Sequence, residues 1–189
     1  MRTFKSLSLS VSAVILLGLA AGCKPAAREN ICTAIDRYLT EKVAVDYAPA
    51  EITIPLHTYM SVDESNPEDI VVLGDYWVFN YDQCGDTLKT VSGGNHAGMM
   101  HIRPTSDGHL EIVSFDQVQD GSDSEPSAKR IFGDKYPEFH AAHSDADKRE
   151  EIRKEVIANY VQAHNLPVKV YKDYGWPAVP IPSADAAKK

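Results

Sequence analysis

Apolar and polar positions alternate through the middle of the chain and recur at helical spacing near both ends. Over residues 51–62, Ile52, Ile54, Leu56, Met60 and Val62 fall on one side, with Glu51, Thr53, His57, Tyr59 and Ser61 on the other. That period of two predicts a strand. Pro55 has no N–H to give a ladder, so the strand is expected at a sheet edge or with a bulge. Residues 70–81 are apolar on both faces and predict a central strand covered on both sides. Three more strands are predicted over 87–91, 96–103 and 109–118. Their separators, at 63–68, 82–86, 92–95 and 105–108, are rich in Gly, Asn and Asp, which tolerate the positive φ of tight turns. Strands joined by such short turns pair antiparallel.

The flanks have a different period. Ile31, Ile35, Tyr38, Leu39 and Val43 make one helical stripe, so a helix is predicted over 30–47 with Asn30 as its N-cap. The acidic run 120–125 is read as a helix start leading to a helix over 126–136, which Pro137 should break. Ser144 with Asp147 forms a capping-box pattern for a last helix over 145–164, whose stripe is Ile152, Val156, Tyr160 and Ala163. The stretch 168–182 holds Tyr171, Tyr174 and Trp176 and is too aromatic for a disordered linker, so it should pack on the domain. Residues 183–189 read as a disordered tail. The expectation is an α+β domain over 30–182: an N-terminal helix on a five-stranded antiparallel meander, then two helices and an extended aromatic tail. A chain of 189 residues, 43% hydrophobic and 24% charged, has enough apolar surface for one such core.

The first residues belong to another class. Arg2 and Lys5 precede an apolar run over 11–20, too short to span a bilayer and followed by small residues, as in a secretion leader. The leader ends Leu19-Ala20-Ala21-Gly22-Cys23, which resembles a bacterial lipobox. The resemblance implies a signal peptide over 1–22, a diacylglyceryl group on Cys23, a tether over 23–29 and attachment to a membrane through the N-terminal lipid. It therefore implies the cell envelope. Lys24, rather than Asp, after the cysteine favours the outer membrane if the cell has one. Cys32 and Cys84 are then an even pair in an oxidising compartment, which suggests a disulfide between them.

The chain carries 27 acidic against 19 basic residues, and the leader removes two of the basic ones. So acidic a domain, with no basic stripe, excludes nucleic acid as a partner. The seven histidines show no zinc-ligand spacing. His140 and His143 share a helical face but lack a third ligand, so no metal is expected. No phosphate loop, nucleophile motif or cofactor motif is present, and Gly93-Gly94 reads as a turn.

A helix packed on a curved antiparallel meander resembles the cystatin-like and NTF2-like folds, over about residues 30–118. That resemblance implies a domain binding a ligand or protein partner. Enzymes with His and Asp inside the cone are the alternative, as small lyases or isomerases. One pair here fits that chemistry. If Asp107-Gly108 closes a hairpin, Ser106 faces His109, His101 faces Ser114 and Met99 faces Asp116, so His101 and Asp116 share a face. His57, Tyr59, Trp77, Met99, His101 and Asp116 are the candidate ligand-lining residues. The leading expectation is a non-enzymatic, lipid-anchored envelope protein. A structural subunit of an envelope complex is a further alternative. Lipidation has a direct check: labelled fatty acid should be incorporated by the wild type and lost in Cys23→Ala, and equal labelling of both would exclude it.

Overall fold

The computed structural model describes residues 29–182. The leader, Cys23, the tether up to residue 28 and the tail 183–189 lie outside the described residues. The element order is helix, five long strands, three helices and two short strands. The fold is α+β, with one open, mixed sheet of seven strands.

Asn30 caps the first helix, its side chain accepting from the Cys32 N–H, and α1 covers Ile31–Tyr38. A π-helical turn, Leu39–Val43, and a 3-10 turn, Ala44–Asp46, prolong it to the predicted end. The strands are β1 (Ile52–Asp63), β2 (Ile70–Cys84), β3 (Thr87–Asn95), β4 (Gly98–Pro104) and β5 (Leu110–Gln117). β1 pairs only with β2, so Pro55 lies on an edge strand as its chemistry requires. β1 also bulges between Tyr59 and Ser61. The extra residue flips the alternation, so Met60 stays buried while Val62 is exposed.

The sheet is not a meander. β2 shares its other edge between two strands laid end to end. Its residues 77–84 pair with β3, and residues 70–74 pair with β4. β3 and β4 run in the same direction and are separated only by His96 and Ala97. Beyond them the sheet divides. β5 pairs with β4, while β6 (Val170–Lys172) pairs parallel with β3 and β7 (Val179–Pro180) pairs with β6. Residues 92–95, expected as a turn, belong to β3 because the glycines allow close approach: a Cβ on Gly93 would collide with the Val78 carbonyl.

α1 covers one face of the sheet around Ile70, Val72, Tyr76 and Val78. The other face carries α2 (Ser124–Phe132), α3 (Tyr136–Ser144) and α4 (Ala146–Ala163). Three helices stand where two were expected. Pro137 does not end a helix; it lies in the first turn of α3, where its missing N–H costs nothing. α4 is capped by Asp145, whose side chain accepts from the Lys148 N–H, and not by Ser144. No helix among the described residues is long and apolar enough to cross a membrane.

Cys32 and Cys84 are both free thiols, which corrects the expected disulfide. Cys32 lies beside the Tyr59 hydroxyl, and Tyr59 faces Gly74 in β2. Cys84 is ten strand residues further along β2. At about 3.3 Å per residue the separation is roughly 30 Å, far beyond the reach of a disulfide. The hairpin alone did not reveal which end of the sheet the helix start would occupy.

The tail packs as expected, and one side chain ties it to both α4 and the sheet. Arg153 of α4 is 6% exposed. It donates from Nη1 and Nη2 to Asp173 at 2.8 and 2.7 Å, and from Nε to the Tyr81 hydroxyl at 3.0 Å. Its guanidinium lies 4.1 Å from the Phe79 ring centre and 4.8 Å from that of Tyr171. Tyr171 is fully buried, whereas Tyr174 and Trp176 at the turn of the tail hairpin are exposed. Arg153→Met should destabilise the protein by about 2–3 kcal/mol in urea denaturation at pH 7, less than a fully buried pair because Asp173 is partly solvated. Hydrogen bonds from Arg153 hold the Asp173 carboxyl below its ordinary range. That stabilisation is present above the unfolded carboxyl value of about 4 and is lost as pH falls through the lower folded value. The gap between wild type and variant should therefore shrink in acid, and an equal gap at pH 7 and pH 3 would refute the assignment.

Candidate functional site

The interruption between β3 and β4 opens a cleft of about 800 Å³. Its walls come from the sheet at Trp77, Gly94, Asn95 and Ala97, from the end of the first helical stretch at Tyr47, and from the loop and helices over 118–143. Local sequence explains the opening. Two strands in line cannot hold a continuous ladder, so β2 would lack a partner at Asp75 and Tyr76. The Tyr76 carbonyl is satisfied instead by the His96 N–H at 2.7 Å and the Asn95 side-chain amide at 3.1 Å. Gly94 leaves room for the Tyr47 ring, whose hydroxyl a Cβ there would strike.

Two hydrogen-bonded chains end in this cleft. The first starts at Asp75, 5% exposed, on the helix-bearing face of β2. One of its oxygens accepts from the Asn95 amide and the other from His143 Nδ1 at 3.0 Å. A carboxylate only accepts, so neutral His143 carries its proton on Nδ1 and leaves Nε2 with a free lone pair. The imidazole is stacked 5.1 Å from Phe139 and 6.3 Å from Trp77. Arg149 donates to the His143 carbonyl at 2.8 Å and lies 4.7 Å from the Trp77 ring centre.

The second chain runs from Gln117 through His96 to Tyr47. His96 Nδ1 donates to the Gln117 side-chain oxygen at 2.9 Å, and Nε2 then accepts from the Tyr47 hydroxyl at 2.8 Å. Tyr47, which lines the cleft, therefore keeps its oxygen lone pairs free to accept. Burial raises its pKa, and the charges of Asp120 and Asp46 raise it further, so the phenol keeps its proton.

The candidate residues from the sequence are divided among separate places. Trp77 lines the cleft. His57 and Tyr59 lie on the α1 face, stacked 4.8 Å apart, with His57 Nε2 at 3.1 Å from Asp36. Met99 packs beside the cluster under α2 and α3. The expected register holds at His101–Ser114 and Met99–Asp116, but a bulge beyond His101 shifts the rest, so Pro104, not Ser106, closes the hairpin against Leu110. His101 and Asp116 share a face yet do not pair. His101 Nδ1 is held by Asp69 at 3.0 Å in a separate shallow groove, whereas Asp116 takes two bonds from Arg130, which lower its pKa.

Asp75 was missed, although a signal existed: it is the one charge in the apolar run over 70–79. Among the described residues no three His, Cys, Asp or Glu side chains converge to hold a metal ion. Asp75→Asn should abolish the preference of His143 for the Nδ1–H tautomer, read by long-range ¹⁵N–¹H NMR; an unchanged tautomer would show that Asp75 does not orient the ring. No family model, curated protein or solved structure matches the chain.

Proposed function

We propose that the protein is a lipid-anchored cell-envelope protein whose domain binds a small molecule in the cleft at the strand break. The cleft carries this reading. Its volume of about 800 Å³ lies in the range of small-molecule sites, roughly 300–1,000 Å³. Its walls combine the Trp77, Tyr136 and Phe139 rings with polar groups oriented by buried partners, the mixture that fixes a ligand's position. The leader and the Leu19–Cys23 motif support the anchor, and Lys24 after the cysteine supports the outer membrane. Helix α1 across a curved antiparallel sheet supports a cystatin-like or NTF2-like unit over residues 31–117; the interrupted strand and the second wing are departures from it.

A second reading rests on one observation. His143, oriented by a buried carboxylate with Nε2 unoccupied, has the arrangement of a general base. A lyase or isomerase would then use His143 with Asp75, and not His101 with Asp116.

Trp176→Phe leaves Trp77 as the sole tryptophan. In the full chain held in detergent, fragments that enter the cleft should change Trp77 fluorescence. Ser122→Phe, at an exposed cleft position, should abolish the response. Responses that survive Ser122→Phe, or none across a diverse fragment set, would refute the binding site.

A further inference from the structure

We infer that the ligand of this cleft is an organic cation: a primary ammonium group on an apolar or aromatic body. The inference rests on the cleft being a binding site, and it follows from the hydrogen-bond direction of three groups that other residues hold in place there, His143, Tyr47 and Asn95. In its neutral form His143 offers Nε2 as an acceptor, because its Nδ1–H is taken by Asp75. Tyr47 offers its oxygen as an acceptor because its O–H is taken by His96. The Asn95 amide donates to Asp75 and to the Tyr76 carbonyl, so its donors are already engaged. Such a site is complementary to a group that only donates, and an ammonium has three donors and no acceptor.

The charge balance has the same sign. Glu125 at the rim is matched by Lys129 at 2.6 Å. The Asp120 side chain, close enough for its charge to act on Tyr47, makes no hydrogen bond or ion pair among the described residues. Asp75 is buried with only Asn95 and His143 as partners. Of the arginines nearby, Arg130 is paired with Asp116, whereas Arg149 donates to the neutral His143 carbonyl and lies over the Trp77 ring, outside the residues that line the cleft. Asp75 and Asp120, carboxylates without a Lys or Arg partner, flank the cleft, and low-dielectric walls focus their field on it.

The apolar part of the cleft suits the same ligand. Tyr136 and Phe139 both line it: the Tyr136 ring can attract a cation, whereas the Phe139 ring is stacked against Phe132 and His143 and supplies apolar wall. The protein already shows this contact in its own side chains, with the Lys129 ammonium 5.5 Å from the Tyr136 ring centre.

Three probes of one shape separate the possibilities: phenethylamine, 2-phenylethanol and 3-phenylpropionate, titrated against Trp77 fluorescence in the full chain bearing Trp176→Phe. Phenethylamine should bind about five- to tenfold more tightly than the alcohol, and the carboxylate more weakly still. Asp120→Asn, at an exposed position, should bring the amine to the level of the alcohol, and added salt should weaken the amine alone. The inference is overturned if the carboxylate binds as tightly as the amine, if Asp120→Asn leaves the amine unchanged, or if the amine gives no response. Binding of the alcohol or the carboxylate as tightly as the amine, blocked by Ser122→Phe, would overturn the cation while leaving the cleft as a binding site. A response to the amine that Ser122→Phe does not block would overturn both.

Discussion

A buried strand must find a hydrogen-bond partner for every backbone group, and β2 is fifteen residues long with apolar side chains on both faces. β1 satisfies one edge almost throughout. The other edge is shared by β3 and β4, which leave a gap opposite Asp75 and Tyr76. Much of the molecule follows from how that gap is filled. Asn95 and His96 supply the missing donors to Tyr76, Asn95 turns its amide to Asp75 as well, and the interruption becomes the floor of a cleft. The division into two wings has the same origin, since β3 and β4 can each acquire a different outer neighbour.

The wing beyond β3 is built from the far end of the chain, and short strands cannot hold it alone. β6 contributes only Val170–Lys172 and β7 only Val179–Pro180. Arg153 supplies the connection. It reaches from α4 to Tyr81 on β2, to Thr90 on β3 and to Asp173 after β6. A planar guanidinium can satisfy these partners in one plane while its faces lie against Phe79 and Tyr171. The α4 helix, the sheet and the tail are thereby fixed to one another.

Local chemistry made the strands and helices legible, and long-range pairing did not. The doubly apolar run over 70–79, the edge proline, the Asn30 cap and the aromatic tail each carry a reason within a few residues. The partner of β4 does not. A Gly-Gly pair can close a turn or let backbones approach, and only the position of Val78 and Tyr47 decides between them. Pro137 likewise suits either a stop or a first turn. The cysteine pairing failed for the same reason: parity and compartment are local facts, whereas the end of the sheet at which a helix begins is not. The register around His101 and Asp116 was legible at both positions because residues on one face keep their parity. Their true partners, Asp69 and Arg130, come from segments whose placement no spacing rule gives.

Stability alone does not account for Asp75. Its position faces the helices, between Leu73 and Trp77 on the same side of β2, where an apolar side chain would complete the packing. A buried carboxylate loses its hydration, and replacing buried ionic groups by well-packed apolar ones is often neutral or stabilising. Asn95 and His143 offset part of that cost, but both are themselves fixed by Asp75 and would be freer without it. What the carboxylate uniquely provides is orientation. It sets the tautomer of neutral His143, a residue that lines the cleft, and leaves Nε2 without a hydrogen bond among the described residues. A charge that organises a cavity wall, at a place where the backbone ladder is already broken, is better explained by the ligand proposed for the cavity than by the stability of the sheet around it.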